Sequence, residues 1–230
     1  MSVIYNRTIM VTNLHIAIDG PAASGKTATG KKLANELNIN YIDTGIMYRA
    51  ITYYFHNFVK ECTDIKVVEN FNFDKNIKII IDEKHNLFLN NHDISKYLYS
   101  DDVTNNVSFY SKIESVRNFL VNEQRLIAEN KDLIMIGRDI GTVVLPNAKY
   151  KFFLDCNLES RAERRMKQEK SLRINEENLS KNIDQIKNRD SIDKSRELSP
   201  MKPSDDAIII YNDHIDLNET ANLMKNIVLE

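Results

Sequence analysis

Short, nearly unbroken apolar runs recur along the chain, and stretches with apolar residues three or four apart separate them. Residues 14–18 (Leu-His-Ile-Ala-Ile), 133–136 (Leu-Ile-Met-Ile), 150–154 (Tyr-Lys-Phe-Phe-Leu) and 207–211 (Ala-Ile-Ile-Ile-Tyr) read as strands. Helical spacing covers about 26–37, 45–59, 111–130, 158–169, 176–194 and 217–228. Strands that are apolar throughout need cover on both faces, so the pattern predicts an α/β fold with a central parallel sheet flanked by helices. Residues 77–92 differ: Ile77 to Asp82 and Leu87 to Leu89 flank Glu83-Lys84-His85-Asn86, a hairpin signal. Residues 62–108 are therefore expected to be an insert with a small antiparallel sheet, between core segments 14–61 and 109–230.

The first strand leads into Gly20-Pro21-Ala22-Ala23-Ser24-Gly25-Lys26-Thr27, with Ala28 opening the next helix. A G-x-x-x-x-G-K-T loop between a strand and a helix brings backbone N–H groups and the helix dipole onto phosphate. Lys26 is expected to reach the β- and γ-phosphates of a nucleoside triphosphate and Thr27 to place its hydroxyl on Mg²⁺. A phosphate loop alone does not choose among GTPases, motor ATPases and small-molecule kinases. A GTPase would need N-K-x-D after a strand; Asn130-Lys131-Asp132 lacks the spacer and precedes one. A motor ATPase would call for a longer chain and arginines from a partner.

Charge sharpens this. The chain has 31 basic and 33 acidic residues, a net of −2, which disfavours nonspecific nucleic-acid binding. Yet Arg161, Arg164, Arg165, Arg173, Arg189 and Arg196, six of the eleven arginines, fall within 36 residues. Such a local basic cluster suits a small anion and suggests that transition-state charge is stabilised in cis. Cys62 and Cys156 form no C-x-x-C or zinc-spaced group, so reduced packing residues and a cytoplasmic setting are expected. No apolar run approaches the roughly 18 residues of a membrane span. Residues 1–13 lack a signal core and are expected to extend the first strand.

Four further blocks carry chemistry. Asp43-Thr44-Gly45-Ile46-Met47-Tyr48-Arg49 opens a helix, where a hydroxyl, a glycine and an arginine one turn in can take a phosphate. Read alone, it is equally an ordinary N-cap with a solvated arginine. Gly137-Arg138-Asp139-Ile140-Gly141-Thr142 ends a buried strand, where open parallel sheets place ligands. Arg138 can bind phosphate and Asp139 can accept from an amino group, or the two can form a local pair in a turn. Arg161, Arg164 and Arg165 share one helix face near Glu163, an arrangement that favours an anion or a solvated basic face. Arg189, Asp193 and Arg196 also share a face, although Arg189 and Asp193 can be a surface ion pair of little value.

Together these blocks resemble bacterial-type cytidylate kinases, members of the P-loop nucleoside monophosphate kinases, along nearly the whole chain. The matching pieces are I-D-G-P-A-A-S-G-K-T at 18–27, D-T-G-I-M-Y-R at 43–49, V-S at 107–108 and V-R at 116–117. They continue with G-R-D-I-G-T-V-V at 137–144, R-A-E-R-R-M at 161–166, R-D-S-I-D-K-S-R at 189–196, S-P at 199–200 and D-A at 206–207. The resemblance implies a P-loop kinase fold with an arginine-rich helical lid at about 158–188 and a nucleotide-binding insert at 62–108. It implies transfer of the γ-phosphate of ATP, with Mg²⁺, to CMP or dCMP. Thr44, Arg49, Arg138 and Arg196 would surround the CMP phosphate; Ser108, Arg117 and Asp139 would read cytosine; Arg189 and Asp193 would contact the ribose. Lys26, Arg138, Arg161, Arg164 and Arg165 would be the catalytic cations, with Arg161, Arg164 and Arg165 in the lid over ATP. Small-molecule substrates, no nucleic acid, no membrane and a monomer are expected.

Several positions depart from the family pattern. Ile136 stands where Asp usually precedes G-R-D, so any carboxylate role toward Mg²⁺ is missing or moved, with Asp19 a candidate. Ile46 replaces Ala, Tyr211 replaces Asp, and segment 168–180 is slightly long. A kinase of another small acceptor, such as UMP or shikimate, and a non-catalytic nucleotide-binding regulatory module are the competing readings.

Overall fold

The computed structural model describes residues 13–171 and 179–230, so the N-terminal extension before Asn13 and Arg173 lie outside the described residues. In chain order the strands are β1 (His15–Asp19), β2 (Asn40–Asp43), β3 (Ile79–Ile81), β4 (Leu87–Leu89), β5 (His92–Asp93), β6 (Leu133–Ile136), β7 (Tyr150–Asp155) and β8 (Ile208–Tyr211). The helices are α1 (Lys26–Leu37), α2 (Gly45–Phe58), α3 (Ile65–Glu69), α4 (Phe73–Asn76), α5 (Asp101–Tyr110), α6 (Glu114–Ala128), α7 (Leu158–Ser171), α8 (Leu179–Ser195) and α9 (Leu217–Leu229).

Five strands form one parallel sheet in the order β2-β6-β1-β7-β8. Alternation along each strand feeds two cores. Ile16, Ile18, Ile134, Ile136, Phe152 and Leu154 pack against Leu33 and Ala34 of α1 and Met224 of α9. Ala17, Leu133 and Met135 point the other way, against Val121 and Ala128 of α6. The carboxyl ends of β1, β6 and β7 thus converge at one edge, where parallel sheets bind ligands.

Two expectations are corrected here. Residues 40–43 are a strand that the apolar pattern did not flag, because Asn40 is exposed and only Ile42 is buried on this sheet edge. The helix expected at 111–130 is α6, but a further helix that was not expected, α5, precedes it at Asp101–Tyr110; the two are separated at 111–113, where Ile113 takes an extended conformation (φ −75, ψ 128) and buries its side chain. The hairpin signal is met by β3 and β4, to which β5 adds a third antiparallel strand. Apolar residues of 62–108 share a third core with α2 and α6, including Phe55, Phe73, Leu87, Tyr110 and Leu120. At the turn of the hairpin, His85 stacks on Tyr41 of β2 with ring centroids 4.0 Å apart. None of the described helices is long and apolar enough to cross a membrane.

Candidate active site

The loop after β1 bends sharply at Gly20, which has φ +144; a Cβ there would lie 2.0 Å from the Leu154 carbonyl oxygen. The loop then delivers the unused N–H groups of the first turn of α1 to a cleft of about 1020 Å³. Lys26 is buried and donates to the Pro21 carbonyl at 2.6 Å and the Ser24 hydroxyl at 3.4 Å. Burial, and then the nearby Arg138 charge, hold its pKa well below that of a free lysine. Thr27 donates its hydroxyl to Asp43 Oδ2 at 2.6 Å, and Asp43 Oδ1 accepts from the Gly45 N–H at 2.9 Å.

After β6 the chain runs into a π-helical turn at Ile140–Val144. Asp19, at the end of β1, accepts from the N–H groups of Ile140 and Gly141, both at 2.8 Å. Arg125 closes the other end on the Val143 and Val144 carbonyls. Burial pushes Asp19 up to about 6, against the lowering effect of those two N–H bonds. This turn fixes Arg138 and Asp139. Arg138 Nε donates to Asp193 at 2.9 Å and its Nη1 to the Gly20 carbonyl at 2.6 Å. Asp139 forms a buried ion pair with Arg117, whose Nη1 donates to the Ser111 carbonyl at 3.0 Å. Arg196 lies 3.3 Å from Asp193 Oδ1. Burial favours a neutral Asp193, but Arg138, Arg189 and Arg196 outweigh it and hold the carboxyl below its usual range. Burial and the Arg138 charge bring Arg189 down to about 9.

Arg117 Nε and Arg196 Nε and Nη2 are buried and have no hydrogen-bond partner among the described residues. Buried donors of this kind call for an acceptor from a ligand. Arg49, on the far wall, donates to the Leu98 carbonyl and the Thr104 hydroxyl, both at 3.0 Å, and lies 4.8 Å from the ring centroid of Tyr99. Thr44 turns its hydroxyl onto the Ile136 carbonyl at 2.9 Å.

A family model for cytidylate kinase matches residues 16–229. A cytidylate kinase from Desulforamulus reducens is 41% identical over 210 residues, covering 90% of this chain and 93% of that protein. The chain belongs to the cytidylate kinase family. It is an enzyme of that kind, a nucleotide-binding transferase. An uncharacterized protein from Eubacterium ventriosum aligns with 94% of this chain and 98% of its own, at 13% identity and a TM-score of 0.49. Shikimate kinase from Bacteroides thetaiotaomicron aligns with 94% and 99%, at 15% identity and a TM-score of 0.47.

The cleft of this cytidylate kinase collects most of the residues expected from sequence. Ala22 to Ala28, Thr44, Arg49, Ser108, Arg117, Arg138, Asp139, Arg164, Arg165, Arg189, Asp193 and Arg196 all line it. Gly20 and Pro21 shape the loop behind it. Arg161 is not brought to the cleft: it is buried against Asp190 and the Ala22 carbonyl. The alternative of an Arg189–Asp193 surface ion pair is not met, since Asp193 is buried and its carboxylate salt-bridges Arg138 and Arg196. Asp19, the candidate to stand in for the aspartate missing at 136, has each of its oxygens hydrogen-bonded to the π turn. Ile136 itself is core; a Cβ on Gly30 of α1 would lie 2.5 Å from Ile136 Cδ1. The carboxylate that does meet Thr27 is Asp43, the cross-strand neighbour of Ile136. Sequence reasoning passed over Asp43 and Asp190, each of which stood inside a quoted motif.

Proposed function

We propose that the cleft transfers the γ-phosphate of ATP in line to CMP or dCMP, giving ADP and CDP or dCDP. What carries this reading is the pairing of its two ends. A phosphate loop with Lys26 stands at one end, and a buried Arg117–Asp139 pair beside Arg138 and Arg196 at the other. Cytosine presents an N4 amino donor together with O2 and N3 acceptors, so it needs a carboxylate and a cationic donor side by side. Uracil would turn its O4 toward the Asp139 carboxylate, a repulsive mismatch.

The attacking oxygen belongs to the acceptor phosphate, already anionic near neutral pH, so no general base is required. A P–O bond forms to the γ-phosphorus while the β–γ bridging bond breaks, and ADP leaves with the electron pair. Arg138, Arg196 and Arg49 orient the acceptor phosphate. Lys26, Arg164 and Arg165 neutralise charge as it shifts, where positioning and electrostatics dominate catalysis. Asp193 and Arg189 hold the ribose, and Ser108 borders the base. Thr27 and Asp43, hard oxygen donors beside the loop, fit a Mg²⁺ ion arriving with ATP. Held there, it would supply further charge neutralisation during the transfer. Residues 62–108 act as the acceptor-binding insert and α7 and α8 as the lid. The free thiols of Cys62 and Cys156 support action in a reducing, cytoplasmic setting. We take the working unit to be a monomer without a nucleic-acid partner.

Initial rates of ADP formation with CMP, dCMP, UMP and AMP test the reading. CMP and dCMP should be turned over well ahead of UMP and AMP; equal rates with UMP would overturn the base assignment.

A further inference from the structure

Four carbonyls of the phosphate loop accept from cationic side chains. Gly20 takes Arg138 at 2.6 Å, Pro21 takes Lys26 at 2.6 Å, Ala22 takes Arg161 at 3.1 Å and Ser24 takes Arg164 at 3.2 Å. These contacts are not equivalent. Lys26 and Arg164 rest on neutral groups: Pro21 and Ser24 for the lysine, Ser24, Cys156 and Asn212 for the arginine. A phosphate can displace neutral partners. Arg161 instead rests on a carboxylate, Asp190, with which it forms a buried ion pair.

Asp190 reaches the loop as well. Its Oδ1 accepts from the Ala22 N–H at 2.9 Å while its Oδ2 faces Arg161. Both backbone groups of Ala22 are therefore taken, the carbonyl by α7 and the N–H by α8, and the two side chains close the ring on each other. Asp190 is 6% exposed and Arg161 9%, so little water competes. Apolar packing reinforces the ring: Ala22, Ala162 and Ile186 form a small core, with Ala23, Leu158 and Ile183 packed against it. The next residue, Ala23, has φ 58, a left-handed conformation that a side chain holds only where its surroundings impose it.

We infer that Arg161 and Asp190 are positioning residues that lock the Ala22 peptide, so that the phosphate loop is pre-shaped for a triphosphate and moves with the roots of α7 and α8. In this role Arg161 never leaves for the nucleotide, whereas Arg164, resting on neutral groups, can. Holding Ala22 from outside imposes the turn at Ala23 and leaves the N–H groups of the following helix turn to the anion. The inference rests on the cleft being the ATP site.

Calorimetric titrations with MgATP and, separately, with CMP test it, alongside amide hydrogen exchange of the segment 20–27. Asp190→Ala should weaken MgATP by about 10- to 100-fold, the loss of a hydrogen bond to a charged group. CMP affinity should stay within about twofold, and exchange of the loop amides should quicken. Asp190→Asn keeps an oxygen for the Ala22 N–H and should lose less than Asp190→Ala. The double variant Arg161→Ala/Asp190→Ala should bind MgATP no more weakly than Asp190→Ala, because the ring acts as one unit. Intact MgATP affinity and exchange in Asp190→Ala, with turnover lost only in Arg161→Ala, would make Arg161 a phosphate ligand and overturn the inference. Losses that add in the double variant would overturn it too. Should the alanine variants fail to fold, Asp190→Asn and Arg161→Lys carry the same comparison. Failure of the wild type to bind MgATP would instead remove the ATP-site reading on which the inference stands.

Discussion

The two ends of the cleft are built on opposite plans. At the phosphate loop Lys26, Arg161 and Arg164 lie on the loop's own carbonyls, and of their buried donors only Arg161 Nε is without a partner among the described residues. At the acceptor end Asp139 and Asp193 pair with Arg117, Arg138 and Arg196, yet three buried donors of Arg117 and Arg196 have no partner among the described residues. An unpaired buried donor costs about 1–3 kcal/mol, so the acceptor end is under-coordinated by design of its packing. The contrast separates two ways of preparing a site. One end is shaped by its backbone before a ligand arrives; the other holds arginines in excess of their carboxylate partners and waits for an acceptor to complete its hydrogen bonds.

The most severe challenge to this contrast is Lys26→Ala. Its partners are neutral and local, so the variant should keep its fold and melting temperature while turnover falls by about 10²-fold or more. Unchanged turnover in the folded variant would show that the loop's cations serve the loop alone. Next comes Asp139→Asn. The buried Arg117 cation loses its counter-charge, and the amide can donate as well as accept. CMP turnover should fall and the preference for CMP over UMP should narrow by about 10–100-fold, as a polar mismatch of roughly 1–3 kcal/mol requires. A preserved preference would mean that Asp139 only supports Arg117.

The subtlest separation concerns Asp193, whose two oxygens already face Arg138 and Arg196. Asp193→Ala should lower kcat/KM for CMP and dCMP together, because both arginines lose their orienting partner. The ribose 2′-hydroxyl can still share the carboxylate, so CMP should lose about tenfold more than dCMP. If the CMP-to-dCMP ratio stays put, Asp193 acts only through the arginines, and the acceptor end is a charge device rather than a reader of the sugar.

Legibility followed the range of the interactions. β1, β6 and β7 stand out because both faces are buried, so their apolar runs are nearly unbroken. β2 has a single sheet neighbour and one fully buried residue, and its four residues carry no run to detect. The phosphate loop was readable because glycine spacing and a lysine encode it locally. Arg117 and Asp139, 22 apart, were brought together only by the family resemblance, which assigns both to the base; their ion pair with each other was not foreseen. The Asp190 contact with Ala22 spans 168 residues and the Thr27–Asp43 bond crosses from helix to strand, so neither leaves a periodic trace. Arg161 illustrates the limit. Its spacing from Arg164 and Arg165 does put all three on one helix, but α8 supplies a carboxylate to the first of them, and its role changes with that partner.

Asp19 binds the molecule to its proton environment. A carboxyl lifted to about 6 in the folded chain from an ordinary 3.8 keeps a proton over an interval in which the unfolded chain has already released it. Folding between about pH 4 and pH 6 therefore takes up a proton at this site. The stabilisation is complete below the unfolded value and fades as pH rises through the folded one, the reverse of a salt-bridged carboxylate. Unfolding free energies measured across that interval should decline more steeply with pH in the wild type than in Asp19→Asn. The residue that fastens the turn beneath Arg138 and Asp139 thus makes folding of the strand edge bearing the acceptor site a proton-coupled event.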